Sequence, residues 1–140
     1  MRRFKDEGLG MLSLLKHGEG SGYSAVAMAF LGDAVFELLA RLYVMETGST
    51  QAGKLHIRCA GLVNARAQCR MYHALAGFLT EEEQEAMRRG RNSSTTKAAK
   101  NASVSEYRHA TGLEALFGYL LLKGHYERII EIFSICIEAI

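Results

Sequence analysis

Two carboxylates stand alone inside strongly apolar stretches of the sequence. Asp33 follows a glycine in FLGDAV at residues 30–35, and Glu114 lies in LEALFG at residues 113–118. An unpaired carboxylate is costly to bury, so each acid needs a cation, a hydrogen-bond donor or a metal. If the two segments pack together, the acids could share one hard divalent cation such as Mg²⁺. This ion needs few carboxylates when water and substrate phosphates supply the other ligands.

A simpler interpretation gives each acid its own partner. Asp33 would cap a helix fragment or pair with an arginine, and Glu114 would pair with Arg108 or another base. For Asp33 considered by itself this is the better interpretation. The second lone acid, on a helix that could pack against the first, makes a shared site more plausible.

A basic segment lies between the two acids in the sequence. Residues 88–108 hold six Lys or Arg and one acid, a local charge of +5. Hydroxyl and amide side chains lie between the cations, a composition typical of phosphate contacts. No aromatic residue occurs at 88–101 for stacking on single-stranded bases, which favours a duplex, although a solvated basic loop stays open. The candidate RNA-binding residues are Arg88, Arg89, Arg91, Asn92, Lys97 and Lys100.

Histidine and cysteine spacing predicts no further metal site. The five histidines are His17, His56, His73, His109 and His125, and no two have HxxxH spacing. The three cysteines are odd in number and form no CxxC pair, so neither disulfides nor a zinc site is indicated. We interpret Cys59 and Cys69 as small buried hydrophobes and place His56 and His73 at helix surfaces. His109 is close to Glu114 in the sequence and could orient a group there. Free cysteines fit a reducing cytoplasm.

Composition and periodicity predict one all-α domain. The chain has 140 residues, 49% of them hydrophobic, and contains no proline. Residues 1–22 are polar and glycine-rich, which predicts an N-terminal extension before a domain at 23–140. No apolar run is long enough for a membrane helix, and no secretory signal is recognisable. The net charge of +2 decides little.

The predicted helices place the two acids on different elements. Ser24 caps a helix to about residue 45, and a second covers about 51–77, with Gly61 a candidate break. Thr80 and Glu83 form a capping box for a helix to about residue 88, which Gly90 ends before a loop. Two more helices cover about 104–123 and 126–138. Glycines at 112 and 118 would permit another helix to approach closely.

These segments resemble the ribonuclease III family. FLGDAV at residues 30–35 with Glu37, and LEALFG at 113–118, are similar to its two catalytic blocks. Further agreement lies in LH at 55–56, VNARAQ at 63–68, LTEEE at 79–83 and RRGRN at 88–92. The resemblance covers about residues 24–133. With no double-stranded-RNA-binding domain expected after residue 140, it points to the mini-ribonuclease III subfamily.

The resemblance implies a complete functional hypothesis. The fold would be the all-α ribonuclease III endonuclease domain, working as a two-fold homodimer on double-stranded RNA. Asp33 and Glu114 would be catalytic acids that bind Mg²⁺, with Mn²⁺ as a substitute, and the products would carry 5′-phosphate and 3′-hydroxyl ends. Phe30 would insert into the partner subunit, with Glu37 also at the dimer interface. The substrate would be precursor 23S ribosomal RNA in the cytoplasm.

Two departures and two rival functions belong with this hypothesis. Full-length enzymes of the family have a glutamate where this chain has Ala29 and an aspartate where it has Thr111, so the pattern that holds a second metal tightly is incomplete. One rival is an inactive helical dimer that binds duplex RNA. The other is a helical scaffold domain whose apolar stripe near Phe30 receives a partner.

Overall fold

A computed structural model describes residues 22–46, 48, 51–93 and 103–140. These ranges contain six helices and no strand, which confirms the predicted all-α class. The helices are α1 (Ala25–Glu46), α2 (Ala52–Val63), α3 (Ala65–Ala74), α4 (Glu81–Ser93), α5 (Val104–Leu122) and α6 (Tyr126–Glu138). Residues 1–21 lie outside the described residues, so the N-terminal extension stays a prediction. None of the described helices is long and apolar enough to cross a membrane.

Helix α5 is the centre of the fold and packs against α1, α3, α4 and α6. Its side chains at 113, 116, 117 and 120 are completely buried. The Phe36 ring of α1 packs edge-on against Phe117 at 5.4 Å and against Phe133 of α6 at 5.6 Å, measured between ring centroids. Burial of side chains this large is the main driving force that holds α1 and α6 to α5.

Glycines let two helices approach the α5 backbone closely. A Cβ atom at Gly32 of α1 would collide with the backbone of Glu114, and one at Gly118 of α5 would collide with the backbone of Met28. Gly112 meets α4 in the same way, because its Cβ would lie 2.7 Å from the carbonyl oxygen of Met87. The expected role of Gly112 and Gly118 in close helix approach is confirmed.

Two predicted helix boundaries are wrong, each for a local reason. Helix α4 continues through Gly90 to Ser93. Gly90 is a packing position and not a helix end, because a Cβ there would lie 3.0 Å from the Cα of Gly112 on α5. Close packing there outweighs the helix-propensity cost of glycine, about 1 kcal/mol. The long second helix does split, but at Asn64 rather than Gly61. The Asn64 side chain accepts a hydrogen bond from Ala67 N at 2.8 Å and so caps α3.

The other predicted caps are confirmed. Ser24 Oγ accepts a hydrogen bond from Ala27 N at 3.1 Å at the start of α1. The Thr80 hydroxyl accepts from Glu83 N at 3.2 Å, and the Glu83 carboxylate accepts from Thr80 N at 2.9 Å. A second capping box joins Ser103 and Glu106 at the start of α5. These caps satisfy amide groups that the first turn of a helix leaves unpaired.

The capping glutamate of α4 also forms the most buried ion pair in the described part of the chain. Arg128 of α6 donates two hydrogen bonds to the Glu83 carboxylate, both at 2.9 Å, and a third to the carbonyl oxygen of Phe78. Burial alone would raise the pKa of Glu83, but hydrogen bonds from Arg128 and Thr80 outweigh it and lower that pKa. The pair ties the start of α4 to α6.

Candidate active site

A cleft of about 260 Å³ lies where α1 crosses α5. Both lone acids of the sequence face it, together with the end of α4. The lining residues are Val26, Ala29, Phe30, Asp33, Ser93, Tyr107, Thr111 and Glu114. Helices α1 and α5 supply most of this lining, so their relative placement determines the shape of the cleft.

The structure brings Asp33 and Glu114 together in this cleft. Asp33 is exposed and Glu114 is half-buried, and their carboxyl groups lie close enough for a side-chain hydrogen bond. Burial, the charge of Asp33 and that hydrogen bond, in decreasing order, raise the pKa of Glu114 from 4.5 to about 8. Within the described ranges, the ion pairs of the structure use other acids. Two neighbouring carboxyl groups without a basic partner hold a proton between them or attract a cation.

The glycines beside the acids explain how the carboxyl groups meet. Gly32 precedes Asp33, and its missing side chain lets α1 lie against the backbone of Glu114. Gly118 is one turn beyond Glu114, where α1 makes a second backbone contact through Met28. The crossing point of the two helices therefore lies at the acids themselves. Any side chain added at either glycine would push the carboxyl groups apart.

The two positions at which the chain departs from the family's four-acid pattern lie in the same cleft. Ala29 and Thr111 both line it. Thr111 Oγ1 donates a hydrogen bond to the carbonyl oxygen of Tyr107 at 3.0 Å, so this hydroxyl already has a partner within its helix. The cleft thus offers two carboxylates where the pattern has four, and its remaining wall is apolar or weakly polar.

Sequence reasoning missed three residues that line this cleft. The sequence patterns predicted no functional role for Val26, Ser93 or Tyr107, although all three line the cleft with the acid pair. Tyr107 had a usable signal: it lies four residues before Thr111 and seven before Glu114, on one helix face. Ser93 had none, because the prediction ended its helix five residues too early.

Part of the predicted basic surface lies beside the acid cleft. Arg88, Arg89 and Asn92 line a second cleft of about 440 Å³, which shares Val26 and Ser93 with the first. Arg88 also pairs with Glu85 on its own helix, with 2.6 Å between Nη2 and Oε1. The predicted site residues Lys97 and Lys100 lie outside the described residues.

Arg91 points elsewhere. Its Cβ lies against Gly112 of α5, and its Nε donates a weak hydrogen bond to Asn92 Oδ1 at 3.3 Å. The side chain is half-buried rather than exposed. Of the predicted basic residues that the structure describes, Arg88 and Arg89 are therefore the two cations beside the acid cleft.

An apolar stripe on α1 borders the acid cleft. Phe30 is 83% exposed, although it is one of the largest apolar side chains of the helix. Val26, Leu38, Leu42 and Met45 on the same helix are also exposed. Glu37 pairs with Arg41 one turn further along, with 3.0 Å between Oε1 and Nη2, and does not line the cleft. Exposed apolar surface of this extent on one helix is typical of an interface.

The described residues form helices only, and two carboxylates adjoin each other at the site, with arginine and amide side chains beside them. This arrangement is typical of a nuclease active site. The family model described as "Ribonuclease III domain" matches residues 26–125. A protein named Mini-ribonuclease 3 from Enterococcus faecalis is 42% identical over 119 residues, 84% of this chain and 90% of that protein. The Mini-ribonuclease 3 of Streptococcus pneumoniae is 39% identical, over 84% of this chain and 93% of that protein.

A solved structure supports the fold. The crystal structure of protein FN1578 from Fusobacterium nucleatum superposes with a TM-score of 0.75 at 34% sequence identity. The match covers 84% of this chain and 94% of that protein. The chain therefore belongs to the ribonuclease III family, and it is an endoribonuclease. The resemblance to the mini-ribonuclease III subfamily and the predicted fold are both confirmed.

Proposed function

We propose that this endoribonuclease cleaves double-stranded RNA with Mg²⁺ held by Asp33 and Glu114. The observation that carries the proposal is that these two carboxyl groups line one cleft, beside the second cleft that Arg88 and Arg89 line. A lone buried acid could be structural. Two acids that meet across a helix crossing, with the pKa of one raised to about 8, have instead a strong need for a cation.

The donor set fits a hard divalent cation. Carboxylate oxygens are the ligands that Mg²⁺ prefers in proteins, and one or two suffice when phosphate oxygens and water complete the shell. Bound Mg²⁺ would supply charge neutralisation at the scissile phosphate and acidification of water. Mn²⁺, which also prefers oxygen ligands, is the expected substitute.

The remaining residues of the two clefts would position the duplex. Arg88 and Arg89 would contact backbone phosphates by charge, and Asn92 would donate hydrogen bonds to phosphate or sugar oxygens. These contacts read the shape of an A-form duplex and carry no base information. Cleavage would leave 5′-phosphate and 3′-hydroxyl ends. Lys97 and Lys100, which lie outside the described residues, would also contact phosphates by charge.

The apolar stripe on α1 supports a two-fold homodimer. Phe30 would be buried by the partner subunit, with Glu37 and its ion pair to Arg41 at the edge of the interface. Because Phe30 also lines the acid cleft, the second subunit would close one wall of that cleft. Dimerisation and cleavage would then depend on the same helix.

The proposed biological substrate is precursor 23S ribosomal RNA, cleaved in the cytoplasm. The support is the similarity to proteins named Mini-ribonuclease 3 over most of their length. Mapping of 5′ ends on precursor 23S stems, compared with an unrelated duplex of equal length, tests this choice. Discrete cuts in the precursor are expected, and equal random cutting of both would contradict it.

A cleavage assay with matched variants tests the catalytic proposal. Wild-type protein is incubated with long duplex RNA in Mg²⁺, then with chelator, and in parallel with single-stranded RNA and duplex DNA. Metal-dependent products from duplex RNA alone are expected. Glu114→Gln should bind duplex without cutting it, and Glu138→Gln, which changes an exposed acid outside both clefts, should retain activity. Binding without cleavage by wild-type protein would favour the inactive duplex-binding alternative.

A further inference from the structure

Three side chains of the kinds that bind transition metals meet between α3 and α5. Cys69 and His73 come from α3, His109 comes from α5, and one potential ligand atom of each lies within 4.8 Å of the others. None of the three lines the acid cleft. His109 is two residues from both Tyr107 and Thr111, which face that cleft. At about 100° per residue, it lies on roughly the opposite side of α5.

The His109 ring is held in one tautomer. Its Nδ1 lies 2.7 Å from the carbonyl oxygen of Ser105, and a carbonyl can only accept a hydrogen bond. Nδ1 therefore carries the hydrogen, and the lone pair of the neutral ring is on Nε2. A backbone carbonyl bound to one nitrogen of a ligating histidine is the usual support of a metal site. The Tyr72 ring packs perpendicular to the imidazole with centroids 4.6 Å apart, which restricts its rotation.

We propose that Cys69, His73 and His109 form a second metal site, of the kind that Zn²⁺ occupies, joining α3 to α5. A thiolate and two imidazoles are a borderline-soft ligand set that suits Zn²⁺ and does not suit Mg²⁺. Zn–ligand bonds of about 2.0–2.3 Å separate tetrahedral ligands by about 3.5 Å, so the three atoms need only small side-chain movements. His73 is exposed, which permits such movement and leaves the fourth position to water.

Part of this proposed site is visible in the sequence, although not as one of the usual metal-binding motifs. Cys69 and His73 are four residues apart on one helix, and therefore share a face. The third residue comes from a helix 36 positions later, where only the fold brings it close. Because the sequence has no CxxC or HxxxH pair, it predicts no zinc site, and the proposed site revises that prediction.

Cobalt substitution tests the site in the full chain. The protein carries Glu114→Gln, so that the carboxylate pair does not compete for metal, and is titrated with Co²⁺ and separately with Zn²⁺. One equivalent of Co²⁺ should produce a sulfur-to-cobalt charge-transfer band and the visible bands of tetrahedral cobalt. Zn²⁺ should displace the cobalt and raise the thermal unfolding midpoint, because it binds only the folded chain.

Single substitutions identify the ligands. Loss of an outer-shell partner typically weakens metal binding about 10- to 100-fold, so loss of a ligand should weaken it at least tenfold. Cys69→Ser should abolish the charge-transfer band, and His73→Gln and His109→Gln should weaken Zn²⁺ binding. His56→Gln, an exposed histidine on α2, should bind as the parent protein does. Exposed His73 can be replaced without disturbing the core, so its variant keeps the test decisive if Cys69→Ser misfolds.

Three results would overturn the proposal. The first is the absence of a charge-transfer band at stoichiometric Co²⁺. The second is a band that persists in folded Cys69→Ser, and the third is Zn²⁺ affinity in His73→Gln equal to that of His56→Gln. In each case the three side chains would be a packing cluster only.

Discussion

Replacing Glu114 by glutamine should stabilise the metal-free protein while abolishing its cleavage activity. The physical reason is the raised pKa of Glu114, about 8 in the folded chain against 4.5 in the unfolded one. Between these values, folding makes the carboxyl take up a proton that the unfolded chain has already released. The free energy of unfolding of the wild-type protein therefore falls as the pH rises through this window. Glutamine has no proton to release, so the variant avoids this loss.

The size of the effect follows from the two pKa values. Each pH unit between them changes the free energy of unfolding by about 1.4 kcal/mol. At pH 7 the accumulated difference is about 3 kcal/mol in favour of Glu114→Gln, and the gap stops widening near pH 8. The glutamine amide can still donate a hydrogen bond to Asp33, so the packing of the site is kept. Asp33→Asn should give a smaller gain in stability, because the burial of Glu114, which is the largest cause of its raised pKa, remains.

Urea denaturation in the presence of chelator measures this prediction. Wild type, Glu114→Gln and the control Glu138→Gln are compared at several pH values and at one protein concentration, since a dimer's apparent stability depends on concentration. The control should follow the wild type at every pH. A Glu114→Gln variant that is less stable than wild type, or a gap that does not change with pH, would refute the assignment of Glu114 as a half-buried acid that shares a proton with Asp33.

Three further predictions concern the crossing helices, the buried ion pair and the apolar stripe. Gly118→Ala places a Cβ against the Met28 backbone, so it should lower the free energy of unfolding by about 1–3 kcal/mol and remove most of the activity. Gly61→Ala is the control, because Gly61 has open space around it and alanine there should be stabilising. Equal urea midpoints for the two variants would contradict the close crossing of α1 and α5. Arg128→Met leaves Glu83 buried and unpaired and should cost about 3–5 kcal/mol at neutral pH. Because the pKa of Glu83 is lowered, this difference should shrink as the pH falls below 4.5, and a pH-independent loss in urea titrations would count against the pair. Phe30→Ser should weaken a homodimer roughly a thousandfold in sedimentation equilibrium, at about 2 kcal/mol per copy, and an unchanged association constant would exclude Phe30 from the interface.

The sequence predicted the parts of the site that depend on local pattern. Asp33 and Glu114 were conspicuous because each interrupts an apolar run, and Gly118 was conspicuous because glycine is unfavourable inside a helix. Ser24 and the Thr80–Glu83 capping box follow from side-chain chemistry within one turn. In each case the signal and its cause lie within a few residues of each other.

The parts that could not be predicted depend on contacts between distant segments. Gly90 has the same local signature as a helix end, and only its contact with Gly112 shows that it is a packing position. Glu83 was recognised as a cap, but its second role depends on Arg128, 45 residues later. Asn64 ends α2 because its side chain competes with the helix backbone, a property that does not distinguish it from a surface asparagine in the sequence.

The glycine crossing gives the fold and the acid pair a common physical origin. Contact between Gly32 and the Glu114 backbone lets α1 and α5 pack closely, and it places two carboxyl groups together at that point. Placing the two carboxyl groups together opposes the close packing, since the ionised groups repel each other and burial disfavours the charged form of Glu114. The core around Phe36 and Phe117 holds the helices together despite this cost, so the repulsion remains as a drive to bind a cation. Glu114→Gln removes this repulsion, so it should raise the stability of the protein and abolish its cleavage activity. A bound cation should raise stability only when both carboxylates of the wild-type pair are present.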